Sequence, residues 1–145
     1  MTENEFRSGV TAEGKSIHDF GRLARSIGPI NQLVVDIHND NVEAGWWSNP
    51  ATGERKERNT GELLMLIVSE VAEGMEGDRK KLQDDKLPHR PMLEVELADA
   101  VIRICDLAGS KGYDLGGAIA EKRAFNASRA DHKAEARLAP GGKNY

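Results

Sequence analysis

The chain is poor in the residues that build many small sites. It has one cysteine, four histidines, and only 5% aromatics, two of them tryptophans, in 145 residues. A single cysteine excludes an internal disulfide. Cys105 lies between Ile104 and Asp106 in an apolar helical stretch, which predicts a buried small hydrophobe and not a reactive thiol. Zinc sites need Cys or His clusters that are missing. Di-iron bundles need Glu-x-x-His, yet the residues three before the histidines are Lys15, Val35, Lys86 and Arg129. There is no GxxxxGK[ST] loop, and an EF-hand starting at Asp36 would meet Asn41 and Trp47 where it requires Gly and Glu. No apolar run approaches the roughly 20 residues that span a membrane. A net charge of −4 argues against a nucleic-acid partner held by bulk electrostatics. The N-terminal MTENEFRSGVTAEGKS carries acids and no apolar h-region, so a cytoplasmic protein is expected.

What remains is helical. Residues 1–14 read as a polar, flexible N-terminus, 15–132 as one domain, and 133–145 as an irregular tail. A first helical region is expected from near Ser16 to Ile27, broken or kinked at Gly28-Pro29, with Pro29 at N1 of the next helix. That helix presents Ile30, Leu33, Val34 and Ile37 and stops at Gly45. After a polar loop over 48–58, Asn59 or Thr60 caps a long helix to about Leu82. Its first half is apolar nearly all round, which predicts a central position. Gly74 and Gly77 cost up to about 1 kcal/mol each in a helix, so a close neighbour is expected there. Pro91 should open the next helix, Gly109 and Gly112 close it, and Asp114 cap the last, over roughly 115–130. No strand pattern survives. The fold expected is an all-α bundle of about four main helices, completed by oligomerisation.

Two carboxylate pairs carry the chemistry: Glu70-Val-Ala-Glu73 and Glu96-Leu-Ala-Asp99. Spacing of i, i+3 puts the acids of a pair on one helix face. Four acids converging from two packed helices repel strongly, so they take up protons or bind divalent cations. Oxygen-only ligands select hard cations, Mg²⁺ or Mn²⁺. The bland alternative is a solvated face, but the i+4 positions are Gly74, Gly77, Ala100 and Arg103, so only Arg103 offers an intrahelical partner.

The paired pattern, here SEVAEGMEGDRK followed by EVELADAVIRICDLAG, resembles the MazG-like all-α nucleoside triphosphate pyrophosphohydrolases over about residues 30–130. The segment EKRAFNASR is similar to that family's Lys-x-x-x-Asn-x-x-Arg. The resemblance implies hydrolysis of a nucleoside triphosphate to monophosphate and pyrophosphate. Glu70, Glu73, Glu96 and Asp99 would hold roughly one to three Mg²⁺ or Mn²⁺ ions, with Glu73 as general base. Lys80, Lys122, Asn126 and Arg129 would meet the phosphates, and His38, Asn41 and Trp47 the nucleoside, with Trp47 stacking on the base and Trp46 packing. It also implies a homodimer or homotetramer. Lys80 and Arg103 stand where the family places base-contacting aromatics, so base preference does not carry over. The polar Asn31, His38, Asn39, Asn41 and Lys80 favour a purine such as dGTP or GTP. The competing reading is a non-catalytic acidic helical module that docks a basic partner.

Overall fold

The structure, a computed structural model, describes residues 20–129, 136 and 138–140. The expected flexible N-terminus, the helix start near Ser16, and most of the 133–145 tail lie outside the described residues. Among the described residues, five helices follow in order: α1 Phe20–Ala24, α2 Ile27–Glu43, α3 Thr60–Lys80, α4 Met92–Lys111 and α5 Leu115–Ser128. Among the described residues there is no strand, only two isolated bridges, Ser48 with Arg55 and Gln83 with Pro91. The fold is all-α. No described helix is long and apolar enough to cross a membrane.

Local sequence explains the helix ends. Asn59 caps α3, its side chain accepting from the backbone N–H of Gly61 and Glu62. Pro91 precedes α4 as its N-cap, one residue earlier than the N1 position expected. α2 starts at Ile27, so Gly28-Pro29 sits inside its first turn and does not break it. Proline is tolerated there because a first-turn N–H has no intrahelical acceptor. Three helices end in the same way. Trp46 N–H bonds Asn41 C=O, Leu82 N–H bonds Gly77 C=O, and Tyr113 N–H bonds Ala108 C=O, each across a left-handed residue. Those residues are Gly45, Lys81 and Gly112, and Lys81 is the non-glycine among them at φ 54°.

The chain divides into two compact units, Gln32–Tyr113 and the segments on either side of it. In the flanking unit, α1 packs on α5, with Leu23 and Ala120 buried. Asn31 donates to Asp114 Oδ1 at 2.6 Å and accepts from Gly116 N at 2.8 Å, so it fastens the start of α5. Asp114 also accepts from Gly117 N, which makes it the N-cap expected.

In the Gln32–Tyr113 unit, α3 and α4 form an antiparallel hairpin. The two glycines of α3 allow it. A Cβ on Gly77 would lie 2.9 Å from Met92 Cβ, and one on Gly74 would lie 3.3 Å from Glu96 Cβ. A third close contact joins α2 to α4, where a Cβ on Gly109 would meet His38 Cβ at 2.5 Å. Val34, Trp47, Leu63, Ala100, Cys105 and Ala108 form the buried core. Burial pushes the Cys105 thiol pKa up, in keeping with a packing role. As its all-round apolar pattern implies, α3 is not fully covered by the described residues of the single chain. Leu64, Val68, Val71 and Met75, spaced along one face, stay exposed, as do Leu97 and Val101 on α4.

Candidate metal centre and adjoining cavity

The close approach at Gly74 decides the position of the acids. Glu70 stands one turn before Gly74 on α3, and Glu96 packs against Gly74 from α4. Side-chain oxygens of Glu70, Glu96 and Asp99 thereby come within 4.8 Å of one another. Glu70 is 6% exposed and Glu96 7%. Glu96 is pushed up to about 7, first by burial, then by its hydrogen bond with Glu70, then by the charges of Glu73, Glu70 and Asp99. Protonated Glu96 donates to the Glu70 carboxylate. Asp99 is also raised, by burial and by Glu70, with Arg103 pulling it back and Asp84 adding to the rise.

This donor set fits a hard cation. All three groups offer oxygen, and oxygens on opposite sides of a Mg²⁺ ion lie about 4 Å apart. Three oxygens on one face of that shell lie about 3 Å apart, so binding would draw the trio together by up to about 2 Å. Glu73 is not part of the trio. It is exposed one turn further along α3, close enough to act on Glu96 through its charge.

Arg103 does not remain an intrahelical partner of Asp99. It crosses to α3 and donates Nε–H to Glu70 Oε1 at 2.5 Å. The same side chain lines an open cavity of about 410 Å³, together with Asp99, Asn41, Trp46, Arg58 and Asp106. That volume falls within the range of small-molecule pockets. Metal trio and cavity therefore share Asp99 as a common wall.

The two tryptophans divide their work differently from the expectation. Trp47 is 6% exposed, and its indole N–H bonds Asp106 Oδ1 at 2.9 Å. Trp46 is 63% exposed and opens onto the cavity. The turn that ends α2 explains this, because adjacent residues leaving a helix point in different directions. His38 sits edge-on to Trp47, ring centroids 5.2 Å apart, and its Nδ1 bonds the same Asp106 oxygen at 2.7 Å. A carboxylate cannot donate, so His38 Nδ1 carries the hydrogen. Asn41 lines the cavity. Asn31 is spent on the α5 cap.

The residues expected on phosphate are placed as follows. Lys80 pairs with Glu76 at 2.5 Å, on the exposed end of α3, and Arg79 joins the same carboxylate. Lys122, Asn126 and Arg129 belong to the flanking unit. Lys122 Nζ lies 5.0 Å from the Phe125 ring centroid, and Asn126 Oδ1 is buried with no hydrogen-bond partner among the described residues.

Sequence reasoning gave no role to Asp106 or Arg58 and gave Trp46 a packing role where the structure opens it onto the cavity. Asp106 had a usable signal: Glu96, Asp99, Arg103 and Asp106 fall at i, i+3, i+7 and i+10, one polar line along an otherwise apolar helix. Arg58 and Trp46 had none, since loop geometry places them. No protein-family model, no curated protein and no solved structure matches this chain.

Proposed function

We propose that this chain is a Mg²⁺- or Mn²⁺-dependent pyrophosphohydrolase that cleaves a nucleoside triphosphate between its α- and β-phosphates, of the MazG-like type. The carrying observation is the oxygen trio of buried Glu70 and Glu96 with half-buried Asp99, beside a nucleoside-sized cavity that shares Asp99 with it. A triphosphate is anionic and repelled by such acids, so a divalent cation between them is required for binding. Held there, the cation supplies Lewis acidity at the α-phosphate and makes water nucleophilic near neutral pH.

The chain's own groups do the rest. Glu70, Glu96 and Asp99 provide the ligand oxygens once Glu96 releases its proton. Glu73, exposed beside them, is the carboxylate left to take a proton from the attacking water. Arg58 and Arg103 bring positive charge to the cavity wall. Trp46 offers its indole face to a base. Lys122, Asn126 and Arg129 keep a phosphate role on the strength of the resemblance. A homo-oligomer covers the exposed apolar line of α3 and α4, where each large aliphatic side chain contributes about 1.5–3 kcal/mol on full burial.

Product analysis tests this directly. The purified protein, given Mg²⁺ or Mn²⁺ and a panel of NTPs and dNTPs, should release monophosphate and pyrophosphate. The activity should vanish in EDTA and in Glu73→Gln. Absence of turnover, with melting unmoved by Mn²⁺, would instead favour an acidic module that docks a basic partner.

A further inference from the structure

Asp106 is 5% exposed, on the same face of α4 as Asp99. Its Oδ1 receives two hydrogen bonds, from His38 Nδ1 and Trp47 Nε1. A carboxylate oxygen has two lone-pair directions, so these donors saturate Oδ1. Oδ2 receives no hydrogen bond from any described residue, and Asp106 forms part of the cavity wall. A buried carboxylate in a cavity wall, with one of its oxygens left without a donor, calls for a ligand with N–H donors. His38 and Trp47 fix the carboxylate plane, so Oδ2 cannot swing away to other partners.

We propose that Asp106 is the base-reading residue of this cavity and that the base it selects is guanine, through the N1–H and 2-amino donors. The inference rests on the nucleotide reading of the site. Guanine presents two N–H donors side by side on its pairing edge, which suits the two remaining lone pairs of one oxygen. Uracil and thymine present a single N–H between two carbonyl oxygens, which a carboxylate repels. In adenine and cytosine the amino group adjoins a ring-nitrogen acceptor. Arg58, whose guanidinium carbon lies 5.4 Å from the Trp47 ring centroid, lines the same cavity. It carries the donors that suit guanine O6 or N7. Trp46 supplies the stacking face.

The test uses the full chain with Mn²⁺ and compares kcat/KM for dGTP, dITP, which lacks the 2-amino group, and dXTP, which has a carbonyl there. In parallel, quenching of tryptophan fluorescence measures binding of GMP, IMP and XMP, which requires no turnover. Loss of one hydrogen bond to a charged acceptor should lower dITP by about 10- to 100-fold against dGTP, and IMP likewise against GMP. Asp106→Asn keeps an acceptor for His38 or Trp47 and can turn an amide donor toward the cavity. It should bring dXTP level with dGTP or above it. Equal handling of guanine and hypoxanthine by the wild-type protein overturns the proposal, whether or not the variant folds. A folded Asp106→Asn that still favours dGTP over dXTP overturns it too. If no triphosphate turns over but GMP binds ahead of IMP, the base assignment is supported and the hydrolase reading falls. If no nucleotide binds, both fall.

Discussion

Arg103 on α4 donates its Nε–H to Oε1 of Glu70 on α3, so a protein cation already engages a buried ligand of the candidate metal centre. Arginine and a divalent ion draw on the same oxygen. Arg103→Gln should therefore act in opposite directions on folding and on metal binding. In chelator the variant should lose about 1–3 kcal/mol, because a buried carboxylate forfeits its charged partner. Its Mn²⁺ affinity should rise roughly 10-fold, the equivalent of about 1.4 kcal/mol of removed repulsion. Thermal melts in EDTA and calorimetric titration with Mn²⁺ read the two effects separately. Unchanged metal affinity would remove Arg103 from the centre.

The metal-free protein should be more stable at mildly acidic pH than at neutral pH. Glu96 has its pKa raised from 4.5 to about 7 in the fold, so between those values the folded state holds more protons than the unfolded one. Stability then falls as pH rises through that window, and Asp99, also raised, adds in the same direction. Mn²⁺ should reverse the slope, since coordination requires deprotonated carboxylates. Melting temperatures at pH 5 and pH 8, with and without Mn²⁺, give four numbers whose order is fixed in advance. Glu96→Gln should flatten the metal-free profile.

Adjacent tryptophans should give opposite phenotypes. Trp47→Ala removes a buried ring and its bond to Asp106, and should cost about 3–5 kcal/mol. Trp46→Ala should leave urea unfolding within about 0.5 kcal/mol of wild type while weakening nucleotide binding. Equal effects of both changes on stability would place Trp46 in the core after all.

Gly109→Ala should destabilise by more than about 2 kcal/mol, although alanine is the better helix former. The added methyl would meet His38 Cβ at 2.5 Å and the Val34 carbonyl oxygen at 3.2 Å, and neither is the mobile end of a side chain. Chemical denaturation measures the change.

Lys81→Gly should go the other way and stabilise by about 1 kcal/mol, because a side chain at φ 54° is strained and glycine is not. Lys81 also pairs with Asp78, but both side chains are well exposed and the pair contributes little.

Much of this fold was legible because its punctuation is local. Asn59, Asp114, Gly45 and Gly112 act on backbone groups within a few residues, so each helix end can be read without knowing the partners. The close approaches at Gly74 and Gly77 were legible too, since glycine inside a helix is unfavourable without a neighbour that needs the space. Three acids of the candidate centre followed from i, i+3 spacing. Glu73 did not join them, because spacing gives a face but not how far the partner helix reaches along it. The two tryptophans were misallocated for a related reason. Rotation about a helix-ending turn determines which of two neighbours points inward, and no pattern in the loop encodes it. Asp106 was legible in principle, since it continues the polar line of Glu96, Asp99 and Arg103 along α4.

Trp47, His38 and Asp106 form a mount for the cavity wall, and a mount has consequences for genetics. A screen that scores lost activity would rank all three beside Trp46, although Trp47 and His38 face the protein and not the cavity. Substitutions at the mount would also respond to temperature, whereas substitutions at the displayed ring would not. Growth at two temperatures would thus separate the wall from its foundation without a purified protein.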